Sequence, residues 1–333
     1  MSKSRITLKE VAERAGVSRS AVSRTFTAGA SVSQETRRVV TKAAQELGYR
    51  PNLLASSLTT GKTKLIGIVT ESFVNPVFLE IFEAYTKGLQ SRDYHPLIVN
   101  LSGETDPSAS VNLLRQYSAE GVIVASSSLP ASFTQAFQRA GFPVVHAFGR
   151  HAGQTAANVV GVDNVRAGAL AAQCLIDRGY RRLGFLGGPE TSTSTIDRLS
   201  GFVKTAQNSA GVTVTVSHAA SYSYGAGRAG MAALIDRGTL AESYFCGDDV
   251  VAIGAMDALS AQGLRVPQDV GIIGMNDMPI AAWNCVGLTT IHQPIAQIVA
   301  ASIELLIATI QDPGRKAEVR LLPCHLVLRH TLC

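Results

Sequence analysis

The spacing of apolar positions divides the chain into a short helical segment and a long segment that alternates strands with helices. In residues 1–50, apolar side chains recur three and four positions apart, the spacing of a buried helix face. Thr7, with a glutamate three residues later, is expected to cap the first helix and Gly16 to end it, whereas Ser18 and Ser33 should cap the next two. Three short helices with a glycine turn between the first two predict a helix-turn-helix.

From residue 65 onward, short β-rich runs alternate with helical stretches, which is typical of parallel sheets covered by helices. Strands are predicted at 65–69, 95–101, 121–126, 143–148, 159–163, 182–188, 244–247, 270–275 and 288–291, with helices near 76–92, 106–118 and 130–140. Two successive series of this kind predict two doubly wound parallel-sheet lobes with a cleft at the carboxyl ends of their strands. A terminal strand at 318–329 is expected to cross back between the lobes.

The predicted fold is therefore an all-α helix-turn-helix head joined by a hinge helix to an α/β core of two lobes. In the linker, Leu54 and Leu58 stand four apart, which is helical spacing. The expected boundaries are 1–50 for the head, 51–64 for the hinge and 65–333 for the core, with an N-lobe of about 65–161 plus 294–322 and a C-lobe of about 162–291 plus 323–331.

Composition narrows the class of protein. The 333 residues suit two or three compact units, and 46% hydrophobic residues are enough to bury their cores. No run approaches the ~18 apolar residues of a membrane span, and the N-terminus lacks the apolar stretch of a secretory signal. Five scattered cysteines fit the reduced thiols of a cytoplasmic protein, and neither they nor the seven dispersed histidines have the spacing of a metal site.

Charge separates the head from the rest of the chain. Residues 1–64 hold twelve basic and four acidic residues, whereas the remainder holds eighteen basic and twenty-one acidic ones. A basic head on a mildly acidic body is typical of a module that binds a polyanion. The second predicted helix supplies suitable side chains, since hydroxyls near a helix start suit phosphates and arginine forks suit guanine edges. Its expected exposed face consists of Ser18, Arg19, Ser20, Ser23 and Arg24.

The sequences ITLKEVAERAGVSRSAVSRTF, VSQETRRVV and AAQELGYRPN resemble the headpiece of the LacI/GalR family of bacterial transcription regulators, nearly without gaps over residues 5–62. The resemblance implies that Arg19, Ser20 and Arg24 read bases, and that Thr7, Ser18 and Ser23 lie close to phosphates. Thr27 departs from the family, in which many members carry asparagine at this position.

The same resemblance gives the linker a role. In this family the segment after YxPN folds into a helix when two subunits meet on operator DNA, and residues 52–59 match it. Leu58 aligns with the leucine that enters the minor groove, where an apolar wedge kinks the duplex. A helix this short is marginal alone and should order only against its symmetry mate and DNA. The implied contacts are Asn52, Ala55 and Leu58; the alternative is that Leu54 and Leu58 pack on the core.

No nucleotide-binding motif follows the strand and glycines of residues 181–189, where neither GxGxxG nor GxxxxGK[ST] comes next. GxSxG is absent from residues 65–333, so neither an enzyme nor a cofactor is predicted. The core instead resembles the periplasmic-binding-protein-like effector domain of the same family, so the resemblance covers essentially the whole chain. It implies that a small molecule binds in the cleft between the lobes.

By this resemblance, two aromatic side chains stand at the cleft mouth and five polar ones hydrogen-bond the effector: Phe73, Phe78, Asp163, Arg198, Asp248, Asn276 and Gln293. A carboxylate and an arginine fork that face one cleft suit a polyhydroxyl ligand, which favours a carbohydrate or a derivative. Each residue also has a structural alternative. The two aspartates could cap helices, Phe78 could belong to the core, and Arg198 could pair internally with an acid.

Two further comparisons with the family bear on the ligand. Family members often carry Asn-Asp where this chain has Asp248-Asp249, and Asp-Asp where it has Asn276-Asp277, so a carboxylate and an amide are exchanged between two cleft positions. Ser192 stands where one branch of the family reads the charge of a purine-type effector, which argues against a purine.

The resulting hypothesis is a homodimeric transcription regulator, most simply a repressor, that binds a near-palindromic operator and responds to a sugar-like effector. The sign of that response stays open. No heptad tail follows the last strand, which favours a dimer over a tail-linked tetramer. Two alternatives share the core fold, namely a solute-binding protein for transport and a cytoplasmic sugar-modifying enzyme.

Overall fold

A computed structural model describes residues 6–27, 29–50, 61–71, 73–101, 106–129, 131–150 and 157–333. The chain divides into two compact units, Met1–Thr63 and Lys64–Cys333.

The first unit contains three helices within its described residues: α1 (Leu8–Ala15), α2 (Arg19–Thr25) and α3 (Gln34–Leu47). Their starts follow the predicted caps. The backbone N–H of Thr7 donates to the Glu10 carboxylate at 2.7 Å, and the Ser18 and Ser33 hydroxyls accept from backbone N–H groups of the first turns of α2 and α3. Gly16, at φ 65°, ends α1 in the left-handed conformation that glycine adopts without strain.

A small apolar core holds these helices together. Val11, Val22 and Val40, one from each helix, are fully buried and belong to one hydrophobic cluster. The Arg37 guanidinium of α3 also donates to the Thr25 carbonyl at the end of α2, at 3.0 Å. Because Val22 and Thr25 face inward, the opposite side of α2 faces solvent.

The second unit alternates strands and helices as the sequence predicts. Its elements are β1 (Leu65–Thr70), α4 (Val77–Gln90), β2 (His95–Asn100), α5 (Ser108–Gln116), β3 (Gly121–Ala125), α6 (Ala131–Arg139), β4 (Val144–Ala147), β5 (Asn158–Val162), α7 (Asn164–Asp177), β6 (Arg182–Gly187), α8 (Thr193–Gln207), β7 (Thr213–His218), α9 (Tyr224–Asp236), β8 (Ser243–Cys246), α10 (Asp249–Ala261), β9 (Gly271–Asn276), a 3-10 turn (Pro279–Ala282), β10 (Thr290–His292), α11 (Ile295–Gln311), β11 (Val319–Leu322) and β12 (His325–Val327).

Within the described part of the core, the strands form two six-stranded sheets, one for each lobe. The first has the order β11-β5-β4-β3-β1-β2, and all of its strand pairs are parallel. The second has the order β12-β10-β9-β8-β6-β7 and is parallel except at its edge, where β12 runs antiparallel to β10. Residues that follow the carboxyl ends of β1, β3, β4, β6, β8 and β10, together with the last residue of β9, line much of the cleft.

The sequence-based prediction differs from the structure in two places. The run at 318–329 is not one strand but two, β11 in the first sheet and β12 in the second, so the chain crosses between the lobes from Leu322 to His325. The edge strand β7 was not predicted, although its residues alternate in the period of two that a half-exposed strand shows.

Close helix packing fixes α8 against α7. A Cβ atom at Gly201 of α8 would overlap the backbone carbonyl of Val165, and one at Gly168 of α7 would overlap that of Arg198. The two glycines therefore let the helix backbones approach closely, and α8 carries Arg198 toward the cleft.

We expect Gly201→Ala to lower the free energy of unfolding of the core by about 1–3 kcal/mol, because a rigid backbone would have to move to admit the methyl group. Urea unfolding followed by circular dichroism measures this change. Gly225→Ala is the matched control, because Gly225 lies in α9 with open space around it and alanine is the better helix former by up to ~1 kcal/mol. Equal effects of both substitutions would contradict the packing argument.

Candidate functional site

The outer face of α2 presents the side chains that the sequence assigned to DNA contact. Ser18, Arg19, Ser20, Ser23 and Arg24 are all exposed. The hydroxyls of Ser18 and Ser20 lie 2.9 Å apart at the start of the helix, and the Arg24 side chain bends back to the Ser20 carbonyl at 3.4 Å. Hydroxyls and a helix start beside two arginines suit phosphates and base edges.

Two flanking threonines complete this surface. Thr7 is exposed, and its hydroxyl donates to Glu10 at 2.9 Å. Thr27 is half-buried and its hydroxyl donates to the Ser23 carbonyl at 2.9 Å, so it fixes the end of α2. Asn52, Ala55 and Leu58 lie outside the described residues, and their roles stay predictions.

A cavity of about 490 Å³ lies between the two lobes of the core, at the carboxyl ends of their strands. This volume is in the range of small-molecule sites in proteins. Five of the seven predicted effector residues line it: Phe78, Arg198, Asp248, Asn276 and Gln293. Aromatic and aliphatic side chains cover much of the remaining wall, and the polar groups converge from both lobes.

Asp248 is the best-connected polar group of the cavity. It is 4% exposed, and its Oδ2 accepts from the side-chain amides of Asn75 and Asn276, each at 2.8 Å. Its Oδ1 accepts from the Val250 backbone N–H at 2.9 Å, so Asp248 both caps α10 and faces the cleft. Burial raises the pKa of this carboxyl to about 6 against the opposing effect of its hydrogen bonds.

The hydrogen bond from Asn75 joins the lobes, because Asn75 precedes α4 of the first lobe whereas Asp248 follows β8 of the second. The pair Asp248 and Asn276 also explains the exchange seen in the sequence. One side chain supplies the acceptor and the other the donor, so a carboxylate and an amide remain complementary across the two positions.

Arg198 is 5% exposed and held by neutral acceptors rather than by an acid. Its Nε donates to Asn164 Oδ1 at 2.8 Å, and one terminal nitrogen donates to the Gly247 carbonyl at 2.6 Å. The preceding acid, Asp197, pairs with Arg150 at 2.8 Å instead. The guanidinium is therefore fixed at the cavity wall, with N–H groups left for a ligand.

The structure places Phe73 and Asp163 away from the cavity wall. Phe73 is 45% exposed and packs against Phe82, with 5.2 Å between ring centroids. Asp163 is exposed and caps α7, where its Oδ1 accepts from the Arg166 backbone N–H at 2.9 Å. The observed hydrogen bond of Asp163 is therefore that of a helix cap, the structural alternative considered for this residue.

Several cavity residues were missed by sequence reasoning. Glu71, Asn75, Ser126–Ser128, Phe148 and Tyr222 all line the cavity. Glu71, Ser126 and Phe148 directly follow strands of the parallel sheets, and this position is the signal that could have found them. Tyr222 is held by its hydroxyl, 2.6 Å from that of Thr195, so its ring is fixed at the wall.

Three of the six described non-glycine residues with positive φ lie in or beside this cavity. Phe148 has φ 62° and Asn276 has φ 115°, and the adjacent Asp277 has φ 60°. Such values cost of order 1–3 kcal/mol for residues other than glycine, and they cluster at binding and catalytic sites. The strain therefore supports a ligand-binding role for this cavity.

Hydroxyl groups close one side of the cavity between the lobes. Thr193 Oγ1, at the start of α8, donates to the Ser127 carbonyl at 2.6 Å, and the hydroxyls of Ser128 and Ser192 lie 3.2 Å apart. Ser192 is buried, and its hydroxyl hydrogen-bonds only to neutral groups within the described residues.

Two further properties belong to the described residues alone. None of their helices is long and apolar enough to cross a membrane. No cluster of three or more of their histidine, cysteine and acidic side chains could hold a metal ion.

Comparisons with known proteins cover both units. A model of bacterial regulatory proteins of the lacI family matches residues 7–52, and a periplasmic binding protein-like domain matches residues 172–332. The HTH-type transcriptional repressor PurR of Proteus mirabilis is 31% identical, over 94% of this chain and 92% of its own. The HTH-type transcriptional repressor CytR of Escherichia coli K12 is 30% identical, over 97% of this chain and 95% of its own.

Solved structures agree with this match. The lac repressor dimer bound to operator and the anti-inducer ONPF is similar with a TM-score of 0.88 and 26% identity, over 99% of this chain and 100% of its own. A complex of the transcriptional regulator CelR with cellobiose has a TM-score of 0.74 and 28% identity, over 98% and 100% of the two chains.

Proposed function

Because the chain belongs to the LacI family of bacterial regulatory proteins, we propose that it represses transcription by binding operator DNA through its head, under the control of a small molecule in the cavity of its core. The related repressors are transcription regulators, and the chain is not an enzyme. The exposed arginines and hydroxyls of α2 support the role of the head, and the strained, polar cavity supports that of the core.

The effector is a carbohydrate or a carbohydrate derivative. The observation that carries this assignment is the cavity's polar set, in which Asp248, Asn276 and Arg198 offer fixed acceptors and donors beside the rings of Phe78 and Tyr222. Such a combination suits a ligand with many hydroxyls and one apolar face. The cellobiose complex of CelR is consistent with a sugar in this fold.

The repressor acts as a homodimer on a near-palindromic operator. The similar lac repressor is a dimer in its operator complex, and two-fold symmetry of the protein implies two-fold symmetry of its site. An effector that competes for Asp248 would replace the bond from Asn75, so ligand and lobe contact are coupled through one carboxylate. Such a change in the lobes is what the linker would transmit to the head.

Selection of bound sequences from a random duplex library tests this function. We expect the full chain to select a near-palindrome, and its affinity for that site to change when the effector is added.

The selected operator then allows the Leu58→Ser variant to be compared with the parent chain. We expect about tenfold weaker binding and a smaller bend in the DNA, because the apolar wedge is lost. Effector affinity should not change. Selection of no sequence at all would contradict the proposed function, whereas normal bending by the variant would contradict only the wedge.

A further inference from the structure

The charges of the cavity do not balance. Two carboxyl groups line it, those of Glu71 and Asp248, whereas Arg198 is the only basic side chain among the described residues of its wall. Arg198 donates to the carbonyl of Gly247, the residue before Asp248, and its charge lowers the pKa of the Asp248 carboxyl, so the one cation lies on the side of Asp248. The charge of Glu71 is left without a cationic partner in this part of the structure.

Glu71 is held in the cavity by neutral groups. It follows the last residue of β1 and is half-buried, and the hydroxyls of Ser126 and Ser128 hydrogen-bond its carboxylate. The Ser126 hydroxyl in turn accepts the backbone N–H groups of Ser128 and Leu129, at 3.0 and 3.1 Å, which fixes the loop after β3 around it. Burial raises the pKa of Glu71, as expected for an acid that lacks a cation.

A cavity with this arrangement attracts a cation and repels an anion. A carboxylate in a half-closed, partly apolar site interacts strongly with an ammonium group, which carries three donors, and the serine hydroxyls leave the carboxylate oxygens further lone pairs to accept them. A phosphate on the ligand would instead place like charges together. On the proposed carbohydrate effector, the group that complements Glu71 is therefore a protonated amine.

We propose that the effector is an unphosphorylated amino sugar whose ammonium group is bound by Glu71, and that Glu71 is the residue that selects it over neutral sugars. The inference rests on the proposed function of the cavity as a carbohydrate site. Asp248, Asn276 and Arg198 then bind hydroxyls, while Glu71 reads the amino group from the other lobe.

Isothermal titration of the full chain with matched sugars tests the inference. The probes are glucosamine, galactosamine and mannosamine, each beside its neutral parent hexose and its N-acetylated form, which keeps the ring but removes the charge. We expect at least one amino sugar to bind about tenfold or more tighter than both of its neutral counterparts. Glu71→Gln, which has nearly the same shape, should abolish that preference, and Glu71→Asp should retain part of it.

Glu190→Gln is the matched control. Glu190 is an exposed acid between two cavity residues, Pro189 and Thr191, but does not line the cavity itself. It should leave the preference unchanged, and thermal unfolding of each variant checks that it folds. Tighter binding of a neutral sugar than of its amine, or a preference that survives Glu71→Gln, would overturn the inference and leave the carbohydrate site intact. Absence of binding by every sugar would overturn both.

Discussion

Deletion of residues 1–63 should abolish operator binding and leave the effector affinity of the core within about twofold of the full chain. The net positive charge of the chain lies in its first segment, because residues 1–64 hold twelve basic and four acidic residues whereas the remainder is net acidic. Phosphate contacts supply most of the affinity of a protein for DNA, so an acidic core has no means to replace them. The core also has its own buried clusters and forms a separate compact unit.

Fluorescence anisotropy with the selected operator measures the first part of this prediction, and isothermal titration with the effector measures the second. A double substitution, Arg19→Ala with Arg24→Ala, serves as the control that keeps the head folded, because both side chains are exposed. It should cost about 1–3 kcal/mol for each arginine that reads a base. A truncated core that still binds the operator would refute the assignment of DNA binding to the head.

The helices and most of the strands could be predicted because periodicity and caps are local properties of the sequence. Thr7, Ser18 and Ser33 cap helices where they were expected to, and the buried strands are mostly apolar runs. The edge strand β7 was missed because it is not a continuous apolar run. It pairs with a strand on one side only, its residues are exposed or half-buried, and several of them are polar.

The cavity was harder to predict because a polar residue after a strand has two possible uses. Asp163 and Asp248 both follow strands and both cap the next helix, yet only Asp248 also faces the cavity. The difference depends on where the neighbouring strands and the opposite lobe lie, which local sequence does not encode. Glu71 and Asn75 were missed for the same reason, since the serine partners of Glu71 stand 55 and 57 residues away along the chain and the partner of Asn75 stands 173 residues away.

Asp248→Ala should weaken effector binding by about 30-fold or more. The substitution removes the acceptor that a ligand hydroxyl would use, and it leaves the amides of Asn75 and Asn276 without their shared partner in a buried site. Isothermal titration measures the loss. Asp236→Ala, at an exposed position at the end of α9, is the control that should retain full affinity. Unchanged affinity of Asp248→Ala would remove this carboxyl from the binding site.

The pH dependence of the same carboxyl gives a second, independent measure. Its pKa is raised by burial to about 6, from an ordinary value of 3.8, so the folded core holds this proton over a pH range in which the unfolded chain has lost it. The contribution of Asp248 to stability therefore falls as pH rises from about 4 to 6, whereas its charged form, which accepts ligand hydroxyls best, is present only above that range. Effector affinity should decrease as pH falls through 6, and this decrease should be smaller in Asp248→Ala. As pH rises, stability therefore falls while effector affinity increases, and both trends arise from the Asp248 carboxyl. Burial of its charged form in the cleft costs folding free energy, and the same charged form is a strong acceptor for the ligand.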